Sequence, residues 1–175
     1  MEKRWKIRET KESDAQAIFS LLFIGWLDTY VNDDVGVTSD FIISKRLKML
    51  RYPFYEKEVR FDGLGNTKDN IHLVAVDKRG IIIGLIHANR DNESQHLQGL
   101  YIYKEFHGTG LAQDLMARFE QWEDKSLDTK LGVVEYNKRA INFYEKYGFK
   151  DSGVKYNFED KISCIDMVKL NKKEK

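Results

Sequence analysis

The sequence predicts an α/β domain with a mixed, mostly antiparallel twisted sheet flanked by helices. Two patterns support this prediction. Segments rich in β-branched and aromatic residues are separated by short polar turns, as in an antiparallel meander, at 71–76, 81–89 and 97–103. Directly after them, Leu111, Leu115, Phe119 and Trp122 recur at the spacing of one face of an amphipathic helix.

Further elements are expected on both sides of the meander. Residues 5–9 form a candidate first strand, and Ser13 with Gln16 three positions later forms a capping-box pattern that opens a helix through Trp26. The remaining elements expected, in chain order, are a helix at 39–50, a strand at 132–135 beside the strand at 97–103, a short helix at 137–147, and a hairpin of strands at 154–158 and 162–170.

Length and charge indicate one domain without an electrostatic preference for polyanions. The 175 residues, 42% of them hydrophobic, provide for a single domain at 1–171, followed by a charged tail at 172–175. The 29 basic and 28 acidic residues leave a net charge of +1, and the basic residues are scattered along the chain. We therefore expect neither nucleic acid nor a membrane as a partner.

Cysteine content and hydropathy predict the compartment. Cys164 is the only cysteine, which excludes an internal disulfide and fits a reducing cytoplasm. It lies in an apolar segment with strand character, so we expect a packed thiol rather than a nucleophile. The first residues carry no apolar signal segment, and no apolar stretch approaches about 18 residues. These features predict a cytoplasmic protein.

The junction between the strand at 97–103 and the next helix is the first candidate binding site. It has the sequence His107-Gly108-Thr109-Gly110-Leu111-Ala112. The two glycines let the backbone turn sharply and approach a ligand, and the first amides of the helix point outward at the positive end of its dipole. A phosphate suits such a junction. A plain turn before a helix has the same composition, so this loop alone does not show that a ligand binds here.

Two better-known phosphate loops are excluded. A Walker loop needs a lysine directly after its last glycine, whereas Leu111 and Ala112 follow Gly110. A dinucleotide fingerprint needs a third glycine where Gln113 stands, and it needs a βαβ unit rather than a meander. A nucleotide-binding regulator of either type is therefore not supported.

A second segment, at residues 137–149, has the sequence NKRAINFYEKYGF. It resembles the late signature of the GNAT superfamily of N-acetyltransferases, which has an asparagine, an alanine, Phe-Tyr-Glu-Lys and a closing Gly-Phe. The loop resembles the acetyl-CoA motif of the same family, namely Gln or Arg, two residues, Gly, one residue, then Gly or Ala. The resemblance extends to residues 7–10 with Asp14 and to 100–102. It covers nearly the whole chain, and residues 51–69 are the least recognisable stretch.

This resemblance implies the GNAT fold, in which the strand before the loop and the strand after its helix splay apart, with acetyl-CoA as cosubstrate in the gap. Metal is not implied. The implied cofactor contacts are the backbone of Leu100, Tyr101 and Ile102 for the pantetheine arm and thioester carbonyl, residues 107–112 for the pyrophosphate, and Asn137, Tyr144 and Lys146 on the later helix.

Tyr144 matches the family tyrosine that gives a proton to the departing thiolate of coenzyme A. A phenol is slightly less acidic than a free thiol, so the proton transfer should accompany cleavage of the carbon–sulfur bond. Two plainer interpretations stay open. Tyr144 would also suit the inner face of a short helix together with Ala140, and Asn137 would suit the N-cap of that helix.

His107 departs from the family pattern, which has Gln or Arg at this position. An imidazole has fewer donors and less reach than a guanidinium, and it is mostly neutral at pH 7. A nearby pyrophosphate would favour its charged form, so we expect coenzyme A to bind more tightly as pH falls from about 8 to 6. Alternatively, the backbone amides bind the phosphates and His107 faces solvent.

His96 is the candidate general base. It occupies a strand position where several relatives carry a glutamate, and it could receive the proton of the amine through water. A histidine on a strand also serves as hydrogen-bonded scaffold. The four histidines show no His-x-x-x-His or His-Cys spacing, so no metal site is predicted.

Trp26, Asp28 and Tyr30 are the candidate acceptor contacts. Their segment resembles the early helices of GNAT members that act on small amines, including polyamines, and an ammonium could be held by charge and cation–π contact. The same spacing suits a buried helix stripe.

We expect an N-acetyltransferase that moves acetyl from acetyl-CoA to a primary amine such as a polyamine, with a homodimer as a possible assembly. Alternatives are a non-catalytic acyl-CoA sensor or an enzyme acting on protein N-termini or lysines.

Overall fold

A seven-stranded sheet and four helices make up the part of the chain that the computed structural model describes, residues 4–50 and 66–171. The elements in chain order are β1 (Trp5–Glu9), α1 (Ala15–Tyr30), α2 (Ser39–Leu50), β2 (Asn70–Asp77), β3 (Ile82–Arg90), β4 (Ser94–Ile102), α3 (Leu111–Trp122), β5 (Asp128–Val134), α4 (Lys138–Glu145), β6 (Lys150–Phe158) and β7 (Ile162–Lys169). In that same part of the chain, no helix is long and apolar enough to cross a lipid bilayer.

The sheet confirms the predicted fold class. Its strands lie in the order β1-β2-β3-β4-β5-β7-β6, and β4 with β5 is the one parallel pair among the described strands. Helix α3 is the crossover that a parallel pair requires. The sheet is therefore mixed and mostly antiparallel, as the meander and the following helix predicted.

The central strands β4 and β5 separate after a short paired region. Over the described residues, their ladder consists of Ser94 with Asp128, Gln95 with Thr129, and His96 with Lys130. Both strands then continue for several residues without pairing to each other. A bulge accompanies the separation, because His87 of β3 pairs with Gly99 whereas Ala88 pairs with Leu97, which leaves Gln98 as an extra residue. The predicted splayed pair is present.

A buried amide holds the closed end of this wedge. Gln95 is fully buried, and its side-chain nitrogen lies 2.8 Å from the carbonyl oxygen of Asp124 and 3.0 Å from Oγ1 of Thr129. Its side-chain oxygen accepts the N–H of Asp124 at 3.0 Å. Since each polar atom of the amide has a partner, burying it is compatible with a stable core. The clamp ties β4 to the turn that leads into β5.

Glu123 stabilises the same end of the sheet. Its carboxylate is fully buried and accepts hydrogen bonds from Oγ1 of Thr129 at 2.6 Å, from Nζ of Lys169 and from Nζ of Lys125. Burial alone would raise the pKa of Glu123, but the two ammonium groups and the hydroxyl outweigh it and hold the pKa below its usual value. The ion cluster joins the end of α3 to β5 and β7.

The two faces of the sheet are covered by different helices. Leu111, Leu115 and Phe119 of α3 pack with Ile86 and Leu97 in the largest apolar cluster. On the opposite face, Ile18 and Leu21 of α1 pack with Val74 and Leu85, and Ile42 of α2 packs near β5 and β7. Helices therefore cover the wedge between β4 and β5 on both faces of the sheet.

Several expectations about element starts were wrong, including β4, which begins at Ser94 rather than 97, and β6, which begins at Lys150 rather than 154. Ser13 does not cap α1: it lies in a 3-10 turn at Glu12–Asp14, and Asp14 stands at the N-cap. The Asp14 carboxylate accepts the N–H of Lys11 at 3.0 Å and both terminal nitrogens of Arg8, at 2.6 and 2.9 Å, so an ion pair took the place of the expected box. Strand β5 begins at Asp128 rather than 132, because ladder hydrogen bonds tolerate its polar first residues.

Replacing Glu123 with alanine should lower the free energy of unfolding by about 3–5 kcal/mol, because Lys169 would stay buried without its counterion. Urea denaturation followed by circular dichroism measures the change. As a control, Arg79→Ala removes an exposed ion pair with Asp77 and should cost under about 1 kcal/mol. A loss under about 1 kcal/mol for Glu123→Ala would contradict the stabilising role of the ion cluster.

Candidate active site

A cavity of about 580 Å³ occupies the wedge between β4 and β5. Its walls come from both strands, from α1, from the loop before α3 and from α4. This volume lies within the range of small-molecule sites, and the walls combine apolar surface with a few polar groups. The separation of the two strands is thus the direct cause of the cavity.

The free edge of β4 offers backbone groups to this cavity. Tyr103 donates its N–H to the carbonyl of Ile83 on β3, and Tyr101 pairs opposite Leu85. Because hydrogen-bonding direction alternates along a strand, the amides of Leu100 and Ile102 point away from β3, toward the gap. Both residues line the cavity. An extended ligand arm could pair with them as an added strand would.

The loop before α3 presents an open concave backbone. Gly108 and Gly110 have φ values of 74° and 93°, a region that favours glycine, and a Cβ at either would meet no described atom within 4 Å. Gly110 is the N-cap of α3, and the hydroxyl of Thr109 is turned back to the carbonyl of Phe106 at 2.7 Å. The open side of the loop and the positive helix end are suited to a phosphate.

His107 bridges β4 and α4. Its Nε2 lies 3.2 Å from the carbonyl oxygen of Ile102, and its Nδ1 contacts the guanidinium of Arg139. A carbonyl only accepts, so Nε2 donates and Nδ1 accepts from Arg139. Burial lowers the pKa of His107, and the Arg139 charge lowers it further. Both effects oppose the charged form that a nearby pyrophosphate would favour.

Tyr144 lies on the inner face of α4 and lines the cavity. Burial raises the pKa of its hydroxyl, and the neighbouring Tyr101 raises it further, so the phenol is protonated at neutral pH. Asn137 caps α4 by accepting the N–H of Ala140 at 3.1 Å and also lines the cavity, so its N-cap interpretation holds beside any ligand role. The cap sets where α4 begins and thereby where Tyr144 points.

Comparison with known protein families decides the assignment. The family model described as an acetyltransferase (GNAT) domain matches residues 53–171, which is more than half of the chain. The chain belongs to the GNAT acetyltransferase family. This family uses acetyl-CoA as the acyl donor.

Individual relatives agree with this family. An uncharacterised N-acetyltransferase of Mycobacterium tuberculosis is 39% identical over 69 residues, which are 37% of this chain and 43% of that relative. The chain therefore matches less than half of the relative's length. The PaiA N-acetyltransferase of Thermoplasma acidophilum, solved with coenzyme A, has a TM-score of 0.71 at 19% identity and covers 94% of this chain and 98% of its own. A variant of the Vibrio cholerae spermidine N-acetyltransferase SpeG has a TM-score of 0.61 at 18% identity and covers 96% and 94%. Both structures share the GNAT fold.

Most of the GNAT residues singled out in the sequence come together in the cavity. The cavity-lining members are His96, Leu100, Tyr101, Ile102, His107, Gly108, Ala112, Asn137 and Tyr144. The cavity wall, as the described residues define it, does not include Thr109, Gly110, Leu111 or Lys146. Lys146 stands at the C-terminal cap of α4. Of the other three, Leu111 is buried, Gly110 is half-buried and Thr109 is exposed.

The candidate acceptor contacts separate into two groups. Trp26 and Tyr30 form an aromatic cluster with Phe158, with ring centroids 5.1 to 6.2 Å apart. The guanidinium of Arg46 already lies over the Trp26 ring at 4.5 Å, so that face of the indole holds a cation of the protein itself. Asp28 is exposed at the cavity wall, where its charge acts on His107.

The histidines of the cavity have different surroundings. Nε2 of His96 lies 3.1 Å from the hydroxyl of Ser94, next to Lys130 across the ladder. Burial lowers the pKa of His87 to about 4, with a further contribution from His72, whose ring centroid lies 5.6 Å away. Among the described residues, no group of three His, Cys, Asp or Glu side chains could hold a metal ion.

Arg139 and Tyr156 are among the residues of the cavity wall that the sequence did not single out. Arg139 sits two positions after Asn137 within the signature, but its partner His107 lies 32 residues away, so only the fold joins them. Tyr156 of β6 places its hydroxyl against Gly132 and near Cys164, and burial raises its pKa to about 12. Cys164 is buried in an apolar cluster as expected, and burial raises the pKa of its thiol.

Gly99→Ala should lower the free energy of unfolding by about 1–3 kcal/mol, because its Cβ would overlap the His87 ring and approach Tyr101 Cε2 to 2.8 Å. Gly132→Ala is the matched control in β5. Its Cβ meets only the hydroxyl end of Tyr156, which is 42% exposed and can turn away, so the cost should stay under about 1 kcal/mol. Urea denaturation of both variants checks the order, and the reverse order would contradict this packing.

The stability of the protein should fall as pH is lowered from about 6.5 to 4. The folded-state pKa of His87 is depressed to about 4, so the unfolded chain takes up this proton first, and stability present above pH 6.5 is lost through that window. One such proton corresponds to a slope of up to about 1.4 kcal/mol per pH unit. Denaturation at several pH values should show a shallower dependence for His87→Gln, and identical slopes would exclude His87 as the source.

Proposed function

We propose that this protein transfers the acetyl group of acetyl-CoA to a primary amine, which attacks the thioester directly in a ternary complex. One observation carries the proposal: a protonated phenol, Tyr144, lines the same wedge as Leu100 and Ile102, whose amides lie on the free edge of β4. One cavity thus brings together an acid for the leaving group and donors for a carbonyl oxygen. Membership of the GNAT family supports the same reaction.

The backbone donors of β4 provide the first half of the chemistry. The amine nitrogen forms a bond to the thioester carbon, and the carbonyl oxygen gains negative charge. The amides of Leu100 and Ile102 can stabilise this charge, and one such donor is worth about 3 to 4 kcal/mol in comparable sites. The tetrahedral intermediate loses its nitrogen-bound proton to a base or water, for which His96 is the candidate of this chain.

Tyr144 provides the second half. As the carbon–sulfur bond breaks, its electron pair stays on sulfur, and the hydroxyl of Tyr144 donates the proton that makes the free thiol. The phenolate then recovers a proton from the base that took up the amine's proton, or from solvent. Because burial raises the pKa of Tyr144, the proton cannot leave before negative charge builds on sulfur. Transfer therefore accompanies bond cleavage.

For the acceptor, we propose a small primary amine such as a polyamine. The exposed carboxylate of Asp28 at the cavity wall offers an attractive charge to a cationic acceptor. The fold similarity to a spermidine N-acetyltransferase is compatible with this class. Arg46 and Lys130 also line the cavity, so the amine should approach along the α1 wall, where Asp28 lies.

An acceptor screen tests this function. The purified protein is incubated with acetyl-CoA and either spermidine, free amino acids or peptides with free N-termini and lysines, while released thiol is followed. Thiol release with spermidine and not with peptides supports the proposal. Release only with peptides would overturn the small-amine acceptor, and coenzyme A binding without release for any amine would instead favour an acyl-CoA sensor.

Tyr144→Phe should lower kcat by about 10² to 10³ while leaving the affinity for acetyl-CoA nearly unchanged, because only the hydroxyl needed at the leaving group is lost. Tyr147→Phe is the matched control: it removes a hydroxyl just beyond α4, outside the described cavity wall, and turnover should stay near wild type. Thiol release and calorimetric titration separate the two effects. Unchanged turnover for Tyr144→Phe would show that another group supplies the proton.

A further inference from the structure

The phosphate loop has a histidine where the family pattern has a long donor side chain, and α4 brings a guanidinium to that histidine. Arg139 contacts Nδ1 of His107, and both residues line the cavity. Arg139 is exposed, so its other donors remain accessible to a ligand. The cation that the loop sequence omits is therefore supplied from a separate element.

The hydrogen bonds of His107 fix which way Arg139 points. Nε2 of His107 donates to the carbonyl of Ile102, at the end of β4, and this bond leaves Nδ1 as an acceptor. One N–H of the guanidinium is used on Nδ1, which ties the planar group to the residue directly before Gly108, and His107, Gly108 and Arg139 line the same cavity. A guanidinium can bind two phosphate oxygens at once, whereas a neutral imidazole with both nitrogens used cannot.

We propose that Arg139, oriented by His107, binds the pyrophosphate of coenzyme A, and that His107 is a positioning residue rather than a phosphate ligand. The inference rests on use of coenzyme A, and it does not depend on which amine is the acceptor. Arg139 adds a charge-assisted contact to those of the loop amides. It replaces the donor that Gln or Arg at the loop position would provide.

The charges around His107 predict how pH acts on this arrangement. Arg139 faces the ring from α4, Asp28 from α1, and Lys104 from the turn before the loop. Protonation would convert Nδ1 into a donor and break its contact with the guanidinium. Affinity for the pyrophosphate should then stay level or weaken as pH falls from 8 to 6, which is the opposite of the trend for a histidine that binds phosphate through its own charge.

Binding of three probes to Arg139→Gln tests the phosphate assignment. Calorimetry should show coenzyme A and dephospho-CoA, which lacks the 3′-phosphate, weakened alike by about tenfold or more, and S-acetyl-pantetheine, which lacks the pyrophosphate, unaffected. Lys138→Gln is the matched control because it removes the adjacent exposed charge outside the described cavity wall, and its effect should be under about twofold. If Arg139→Gln weakened the binding of coenzyme A but not of dephospho-CoA, Arg139 would contact the 3′-phosphate and the proposal would be overturned. Equal losses of affinity for Arg139→Gln and Lys138→Gln would also overturn it.

A double-mutant cycle tests the positioning role of His107. His107→Ala should weaken dephospho-CoA binding in the wild-type background and have little further effect when combined with Arg139→Gln. Equal losses in both backgrounds, or wild-type affinity for dephospho-CoA that rises as pH falls from 8 to 6, would show that His107 contacts the phosphate itself.

If wild type bound no coenzyme A at millimolar concentration, the proposed function would fail as well. Wild-type binding that Arg139→Gln leaves unchanged would overturn this inference alone.

Discussion

The separation of β4 from β5 after three paired residues determines the rest of the site. A parallel pair that continued along its length would satisfy its own backbone groups and leave no space. Here the buried amide of Gln95 closes one end, and the extra residue at Gln98 accompanies the divergence beyond it. The unpaired edge of β4, the open loop before α3 and the inner face of α4 then surround a single cavity.

Enclosure of the wedge sets the protonation of its side chains. Burial disfavours the charged form of every ionisable group, so Tyr144 keeps its proton and His87 does not gain one near neutral pH. His107 is also held neutral and uses both ring nitrogens in hydrogen bonds. In the proposed complex, positive charge for the pyrophosphate comes from Arg139 and the helix end, and Tyr144 is the neutral acid for the departing thiolate.

The sequence predicted the order of the elements and part of the cavity wall because local patterns encode them. Alternating apolar residues, two glycines before a helix and the 137–149 signature are local features. The start of β5 was missed, since Asp128 and Lys130 are polar and their pairing is through the backbone. The pairing of Arg139 with His107 depends on how α4 packs against β4, and no local pattern records it. Likewise, α1 begins after Asp14 without the expected capping box, and the carboxylate of Asp14 binds Arg8 of β1 instead.

Amide hydrogen exchange with and without coenzyme A tests most directly whether the cosubstrate lies in the wedge. Coenzyme A bound in the wedge should slow exchange at Leu100 and Ile102 on the free edge of β4 and at residues 108–112 of the loop, because these amides would donate to the pantetheine arm and the pyrophosphate. The paired residues Ser94 to His96 should exchange as before. Protection confined to another surface, with Leu100, Ile102 and the loop unchanged, would show that the cosubstrate binds elsewhere.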